Sequence, residues 1–249
     1  MKNKIGWCSM TFNPVWGCLN HCEYCYARKI AKRFGGIVFK KELEYRTENN
    51  MDSVYFKLKN SLDLIKFKPT FLYSQFNKKF PKKPQRIFVG SMSEINHWES
   101  KWMNKIIFKI MEYPQHTFQF LTKYPHIYSK WDFPINCWLG ITVTTLSDLN
   151  DNNLKNYHNY INMKNIKFLS LEPFLSNIPT DFLQFFNWVI IGAETGNRKG
   201  KVIPKREWIE EIVNYCREIN IPVYLKDGLK DVYPVEMKEF PKNRTIRKL

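Results

Sequence analysis

No run of eighteen or more apolar residues occurs in the 249-residue chain. The opening stretch, from Met1 to Pro14, has neither an apolar segment nor a small-residue cleavage site. A membrane span and a secretion signal are therefore not expected, and the reading is a cytoplasmic protein with no membrane partner. Cysteine is also scarce. Six in a chain this long are too few for a disulfide scaffold, and three of them fall within eight residues, which suits reduced thiolates holding a metal. Acidic residues are few, 23 against 39 Lys and Arg, and the formal charge of +16 sets up a field that attracts polyanions, nucleic acid foremost. A chain rich in Lys, Asn, Ile, Phe and Tyr can also acquire that charge from an AT-rich genome. There is no low-complexity tract and no repeat of 20–50 residues.

What is present is a rhythm. Short apolar runs recur at Arg86–Gly90, Thr117–Leu121, Cys137–Ile141, Ile166–Ser170, Trp188–Gly192 and Pro222–Leu225, each closed by small or polar residues, as buried parallel strands are. With a first strand within Ile5–Phe12 and helices such as Glu99–Met111 and Lys205–Ile219 between them, about seven βα units result. The expected fold is α/β, a partial (β/α) barrel of six to seven parallel strands in a single domain over 1–249. Residues 35–85 break the rhythm and read as an insertion: a helical pattern over Asp52–Leu64, then a basic, aromatic stretch. The tail from about residue 233 is charged and reads as extended over the surface or frayed.

The densest chemistry lies in Trp16-Gly-Cys18-Leu-Asn-His-Cys22-Glu-Tyr-Cys25-Tyr26, which spaces three thiolates as C-x3-C-x2-C ahead of a helical stretch Ala27–Phe34 rich in Lys and Arg. Three thiolates from one loop can hold three irons of a [4Fe–4S] cubane and leave the fourth open to a ligand. Structural zinc is the competing reading, with His21 or Cys8 as the fourth ligand, but no second C-x-x-C or H-x3-H follows.

This motif, with Tyr24 before its last cysteine, resembles the signature of radical S-adenosylmethionine (SAM) enzymes, and the loop is particularly similar to the spore photoproduct lyase branch. From Trp7 to about Lys226 the chain also resembles a phage-associated, uncharacterised radical-SAM-like family. The matching pieces are Phe12-Asn-Pro-Val-Trp-Gly-Cys18, Cys25-Tyr-Ala27, Arg86-Ile-Phe-Val-Gly-Ser-Met-Ser-Glu94, Gln115-His-Thr-Phe-Gln119 with Leu121-Thr-Lys123, Trp138-Leu-Gly140, Phe168-Leu-Ser-Leu-Glu-Pro173 and Trp188-Val-Ile-Ile-Gly-Ala-Glu-Thr-Gly196. The chain departs from many members in its closer first cysteine pair, and from several in carrying Glu94 where they have Asp. The resemblance implies a [4Fe–4S] cluster on Cys18, Cys22 and Cys25. It also implies SAM bound at the open iron and cleaved by one electron from a flavodoxin- or ferredoxin-type donor to a 5′-deoxyadenosyl radical.

Polar residues closing the strands are site candidates because ligands gather at the C-terminal ends of parallel strands. Ser91, Ser93, Glu94, Thr122, Lys123, Thr142 and Thr144, with Tyr24 and Tyr26 from the cysteine loop, are expected to meet the cofactor, since SAM needs donors and acceptors together. Glu172, Glu194 and Lys226 are the candidate catalytic residues, with Lys226 either pairing with one of the two carboxylates or meeting a phosphate. Ser93, Thr144 and Thr195 can equally cap helices. Lys66–Arg86 interleaves cations with Phe67, Phe71, Tyr73, Phe76 and Phe80, which fits either a surface for bases and phosphates or a solvated insertion. Cys8 and Cys137 are either thiol hydrogen donors or small buried hydrophobes, Cys216 a buried hydrophobe. His97, His116, His126 and His158 form no spaced pair and receive no role.

Three functions remain open from sequence: a radical SAM enzyme on DNA or RNA, a radical SAM enzyme on a peptide or small metabolite, and a non-enzymatic iron–sulfur or zinc module that binds nucleic acid.

Overall fold

The apolar runs become strands. A computed structural model of the chain describes residues 5–60, 66–150 and 157–242. Its elements, in order, are β1 (Met10–Phe12), β2 (Val15–Trp16), α1 (Tyr26–Glu48), α2 (Ser53–Asn60), β3 (Thr70–Phe71), α3 (Tyr73–Phe76), β4 (Arg86–Val89), α4 (Ser100–Met111), β5 (Thr117–Thr122), β6 (Cys137–Thr142), α5 (Ser147–Asn150), α6 (Tyr157–Ile161), β7 (Lys167–Leu171), β8 (Trp188–Ile191), α7 (Arg206–Glu218) and β9 (Val223–Leu225). Hydrogen bonds order seven strands β1-β4-β5-β6-β7-β8-β9, and β2 pairs with β3 in a separate ribbon. The fold is the expected one, α/β with seven parallel strands in partial (β/α) barrel order. The chain divides into two compact units, Met1–Leu139 with Asn156–Asn165, and Gly140–Lys155 with Ile166–Leu249.

In the first unit the parallel register aligns Phe12, Val89 and Phe120 on one face of the sheet and Thr11, Phe88 and Gln119 on the other. Phe80 packs edge-on against Phe12 at 5.0 Å and Phe118 at 5.4 Å, and Phe133 covers Phe120 at 5.1 Å. On α4, Met103, Ile106 and Ile110 recur at helical spacing and are fully buried, each worth roughly 2 kcal/mol.

The residues expected to be an insertion are built differently from expectation. The helix read as Ala27–Phe34 runs on to Glu48. The paired glycines 35 and 36, which lower helix propensity, do not stop it, because Gly35 lies on the same buried face as Ala27, Ala31 and Glu42. Glu42 is fully buried; it accepts from the Tyr73 and Ser74 amides at 2.9 and 2.8 Å and pairs with Arg46 at 2.9 Å, so α1 starts α3. Of the helical pattern Asp52–Leu64, positions 61–64 lie outside the described residues.

In the second unit, Leu169, Val189 and Val223 share one face of the sheet, and Ser170, Ile190 and Tyr224 the other. Ile209, Ile212, Val213 and Cys216 form the buried stripe of α7. The tail closes the edge of β9. Leu225 donates to the Met237 carbonyl at 2.9 Å and Glu239 to that of Val223 at 3.1 Å, while Trp188 Nε1 donates to the Glu239 carbonyl at 2.9 Å and Phe240 packs on Trp188 at 5.3 Å. The part of the tail within the described residues is thus pinned, and an open strand edge is covered.

Candidate metal centre

The cysteine loop leaves β2 and is held by partners far away in sequence. Gly17 has φ +107°, and a Cβ there would lie 2.0 Å from the Lys68 carbonyl oxygen, so only glycine fits. From that point the Gly17 amide donates to the Met92 carbonyl at 3.0 Å and the Cys18 amide to that of Phe67 at 2.9 Å. The Leu19 amide donates to His97 Nδ1 at 3.2 Å. Tyr124 Oη donates to Asn20 Oδ1 at 2.8 Å, and Arg28 Nη2 donates to the Cys18 and Asn20 carbonyls at 3.3 and 2.6 Å. Burial holds His97 below its usual range, which suits an imidazole accepting at Nδ1, and pushes the Tyr124 phenol up, which suits a donor.

All three cysteines are half-buried. Two of their sulfurs already accept backbone N–H groups: Cys18 Sγ from Asn20 at 3.3 Å, and Cys25 Sγ from Arg28 at 3.4 Å, the latter capping α1. Those donors and the helix N-terminus favour sulfur that carries negative charge, and this is the fit an anionic iron–sulfur group requires. Burial pushes the Cys18 thiol up to about 12, with Glu94, Cys25 and Cys22 adding to the effect, so its binding to a metal must release a proton. Among the described residues no three His, Cys, Asp or Glu side chains converge closely enough to share one metal ion. Sharing is the demand of a single ion, whereas a cubane presents each thiolate with a different iron. Cys8, Cys137 and Cys216 are buried; Cys8 precedes β1 and Cys137 starts β6, at the strand ends away from the loop, and burial raises the Cys137 thiol and takes that of Cys216 to about 12.

The strand-end residues of the first unit surround this loop. Tyr26 Oη donates to the Ser91 carbonyl at 2.7 Å, and Ser91 Oγ donates to Asn13 Oδ1 at 3.0 Å. The Lys123 ammonium stands 5.7 Å from the Tyr24 ring centre. Ser93 Oγ accepts from Trp98 Nε1 at 3.1 Å. Glu94 is buried, caps the short 3-10 turn Ile95–His97, and accepts from Thr122 Oγ1 and from the Lys123 amide at 3.1 Å. Burial pushes its carboxyl above the usual range, against the lowering pull of those hydrogen bonds. Sequence reasoning missed Tyr124, Asn20 and Arg28, gave His97 no role and read Phe67 only as part of the basic aromatic stretch; the cationic helix start was the signal for Arg28.

Along the stretch Lys66–Arg86 the rings and the charges separate. Phe67, Phe71 and Phe80 are buried and Tyr73 and Phe76 half-buried, while Lys66, Lys68, Lys78, Lys79, Lys82 and Lys83 are exposed. The three buried rings are core, not surfaces on which a base can stack; Phe67 lies 5.2 Å beneath the Arg28 guanidinium.

In the second unit Thr142 ends β6 half-buried. Thr144 gives both its amide and its hydroxyl to Asp148, at 2.6 and 2.7 Å, and is a loop tie. Glu172 and Lys226 extend β7 and β9 and form an ion pair. It passes across Gly192, where a Cβ would come within 3.0 Å of both side chains. Glu194 is gripped by Arg198 through two hydrogen bonds of 2.8 and 2.9 Å, which hold its carboxyl below the usual range.

Among solved structures, a mutant of spore photoproduct lyase is similar, with a TM-score of 0.52 and 11% identity over 88% of this chain and 76% of that one. At that identity the likeness is one of fold. No curated protein matches. A family model described as "Protein of unknown function (DUF5131)" matches residues 2–249. The chain belongs to that family.

Proposed function

We propose that this chain is a radical SAM enzyme acting on a nucleic-acid base, in repair or modification. The observation that carries the reading is the loop between β2 and α1. There three cysteines are positioned in a fold shared with spore photoproduct lyase, and amides already point at two of the sulfurs. In this reading Cys18, Cys22 and Cys25 hold a [4Fe–4S] cluster. The chemistry such a cluster supplies with SAM is one-electron cleavage of a sulfur–carbon bond to a 5′-deoxyadenosyl radical, fed by a flavodoxin- or ferredoxin-type donor.

The chain's own residues orient and enclose. Tyr24, Tyr26, Ser91 and Lys123 line the loop and are assigned to SAM, while Ser93, Glu94 and Thr122 fix the strand ends that present them. In the second unit Thr144 shapes the loop that follows β6 through Asp148. The Glu172–Lys226 pair is assigned to catalysis, with the Lys226 ammonium as the proton-holding atom. Glu194, occupied by Arg198, supports the loop that follows β8. The net charge of +16 supports a polyanionic substrate.

The test is anaerobic reconstitution followed by reduction with dithionite in the presence of SAM. About four irons per chain and formation of 5′-deoxyadenosine are expected. Zinc bound instead, with SAM intact, would overturn the reading in favour of a non-enzymatic binding module.

A further inference from the structure

Helix α1 carries its charges where its own dipole disfavours them. Between Ala27 and Lys41 the sequence holds Arg28, Lys29, Lys32, Arg33, Lys40 and Lys41 and no acidic residue, and the first turn has none either. Cations near a helix N-terminus face the positive end of the macrodipole, so helix stability does not account for them. Arg28 has work within the cysteine loop, but Lys29, Lys32, Arg33, Lys40 and Lys41 are exposed.

At 100° per residue, Lys29, Arg33, Gly36 and Lys40 fall on one line along the outer face, with Lys32 and Ile37 to either side. Two further features of that face lack a stability reason. A Cβ at Gly36 would meet nothing within 4 Å, so packing does not require glycine at a position where it weakens the helix. Ile37, beside that line, is 55% exposed. Regularly spaced cations, bare backbone for close approach and apolar carbon beside it make a surface for a sugar–phosphate chain. It carries no hydroxyl or amide side chain with which to read a ribose 2′-OH, and its apolar neighbour Ile37 suits the bare carbon of deoxyribose. The line starts next to Tyr26, at the end of the cysteine loop.

We propose that the outer face of α1, from Lys29 through Arg33 and Gly36 to Lys40, is a track for the phosphodiester backbone of DNA leading to the cysteine loop. The proposal rests on the reading that the chain acts on nucleic acid, and it names where the strand runs.

The experiment is a fluorescence-anisotropy titration of cluster-loaded full chain with labelled single-stranded DNA, and with RNA of the same sequence, over a range of salt. The track variant replaces Lys29, Lys32 and Arg33 with Gln. Expected are a salt slope lower by about 2 and affinity weaker on the order of tenfold at low salt. Iron content and DNA-independent SAM cleavage should be unchanged. A charge-matched control replaces Lys199, Lys201 and Lys205, on the other unit, with Gln and should bind close to the parent. Gly36→Ala should raise the Tm and weaken DNA binding, a combination that misfolding cannot produce.

If the control weakens binding as much as the track variant, net charge alone is responsible and the track is wrong. A parent that binds DNA with a slope untouched by the track variant overturns the track and leaves the nucleic-acid reading standing. A parent that prefers RNA overturns the assignment to DNA, and one that binds neither overturns the nucleic-acid reading and the track together.

Discussion

Gly17 shows how much one residue can decide. Its backbone sits at a φ that side chains disfavour, directly under the Lys68 carbonyl, so Gly17→Ala is expected to cost at least about 3 kcal/mol. Chemical denaturation measures that loss, and iron retained through gel filtration should fall with it. A different single contact sets acid sensitivity. Arg198 holds the Glu194 carboxyl below its unfolded value, so the pair contributes fully above about pH 4.5, and that stability is lost as pH falls through the folded pKa. Arg198→Met should lower stability at neutral pH by roughly 2–3 kcal/mol, since Glu194 is buried and Arg198 partly wet. The variant should also show a shallower acid limb in a stability–pH profile; an unchanged limb would assign the acid response to other groups. The cysteines were legible because their meaning lies in local spacing. His97 and Tyr124 were not, since each meets the loop across 78 and 104 residues of chain, and nothing local marks a histidine that accepts a distant amide.

For secondary-structure elements, local pattern carried further. Six of the seven parallel strands lie where apolar runs ended in small or polar residues, because a strand buried on both faces writes itself as a continuous run, and β1 falls at the end of the Ile5–Phe12 span expected to hold the first strand. Helix α1 extends well past the Ala27–Phe34 legible in sequence, and only the buried face that Gly35 shares with Ala31 and Glu42 shows why the paired glycines are tolerated. The β2–β3 ribbon is too short, at two residues a strand, to leave any periodicity. The tail yields a prediction of its own. A chain ending at Pro234 loses the bridge to β9 and the Phe240 contact with Trp188, so its Trp fluorescence should shift to the red and light scattering on heating should begin at a lower temperature. Equal behaviour of the two proteins would show that the tail only rests on the edge.

At the level of the whole molecule, charge and chemistry should separate. The +16 is spread over 39 basic residues and does not depend on the thiols. Cys22→Ala should therefore lose the iron–sulfur group and SAM cleavage while keeping salt-dependent binding to nucleic acid. Filter binding and iron analysis on the same sample test this, and loss of both together would place the cysteine loop within the binding surface. Composition announced that field from the outset, whereas nothing in composition said which face concentrates it.

The stretch over 35–85 has a consequence for anyone shortening this protein. By strand count it is surplus, and a minimal version of the gene that kept every βα unit would delete it. Yet Phe67 and Lys68 form the wall against which Gly17 and Cys18 are set, and β3 is the partner of β2. A trimmed chain would keep all seven strands and three cysteines and still lack the surface that tells the loop where to stand.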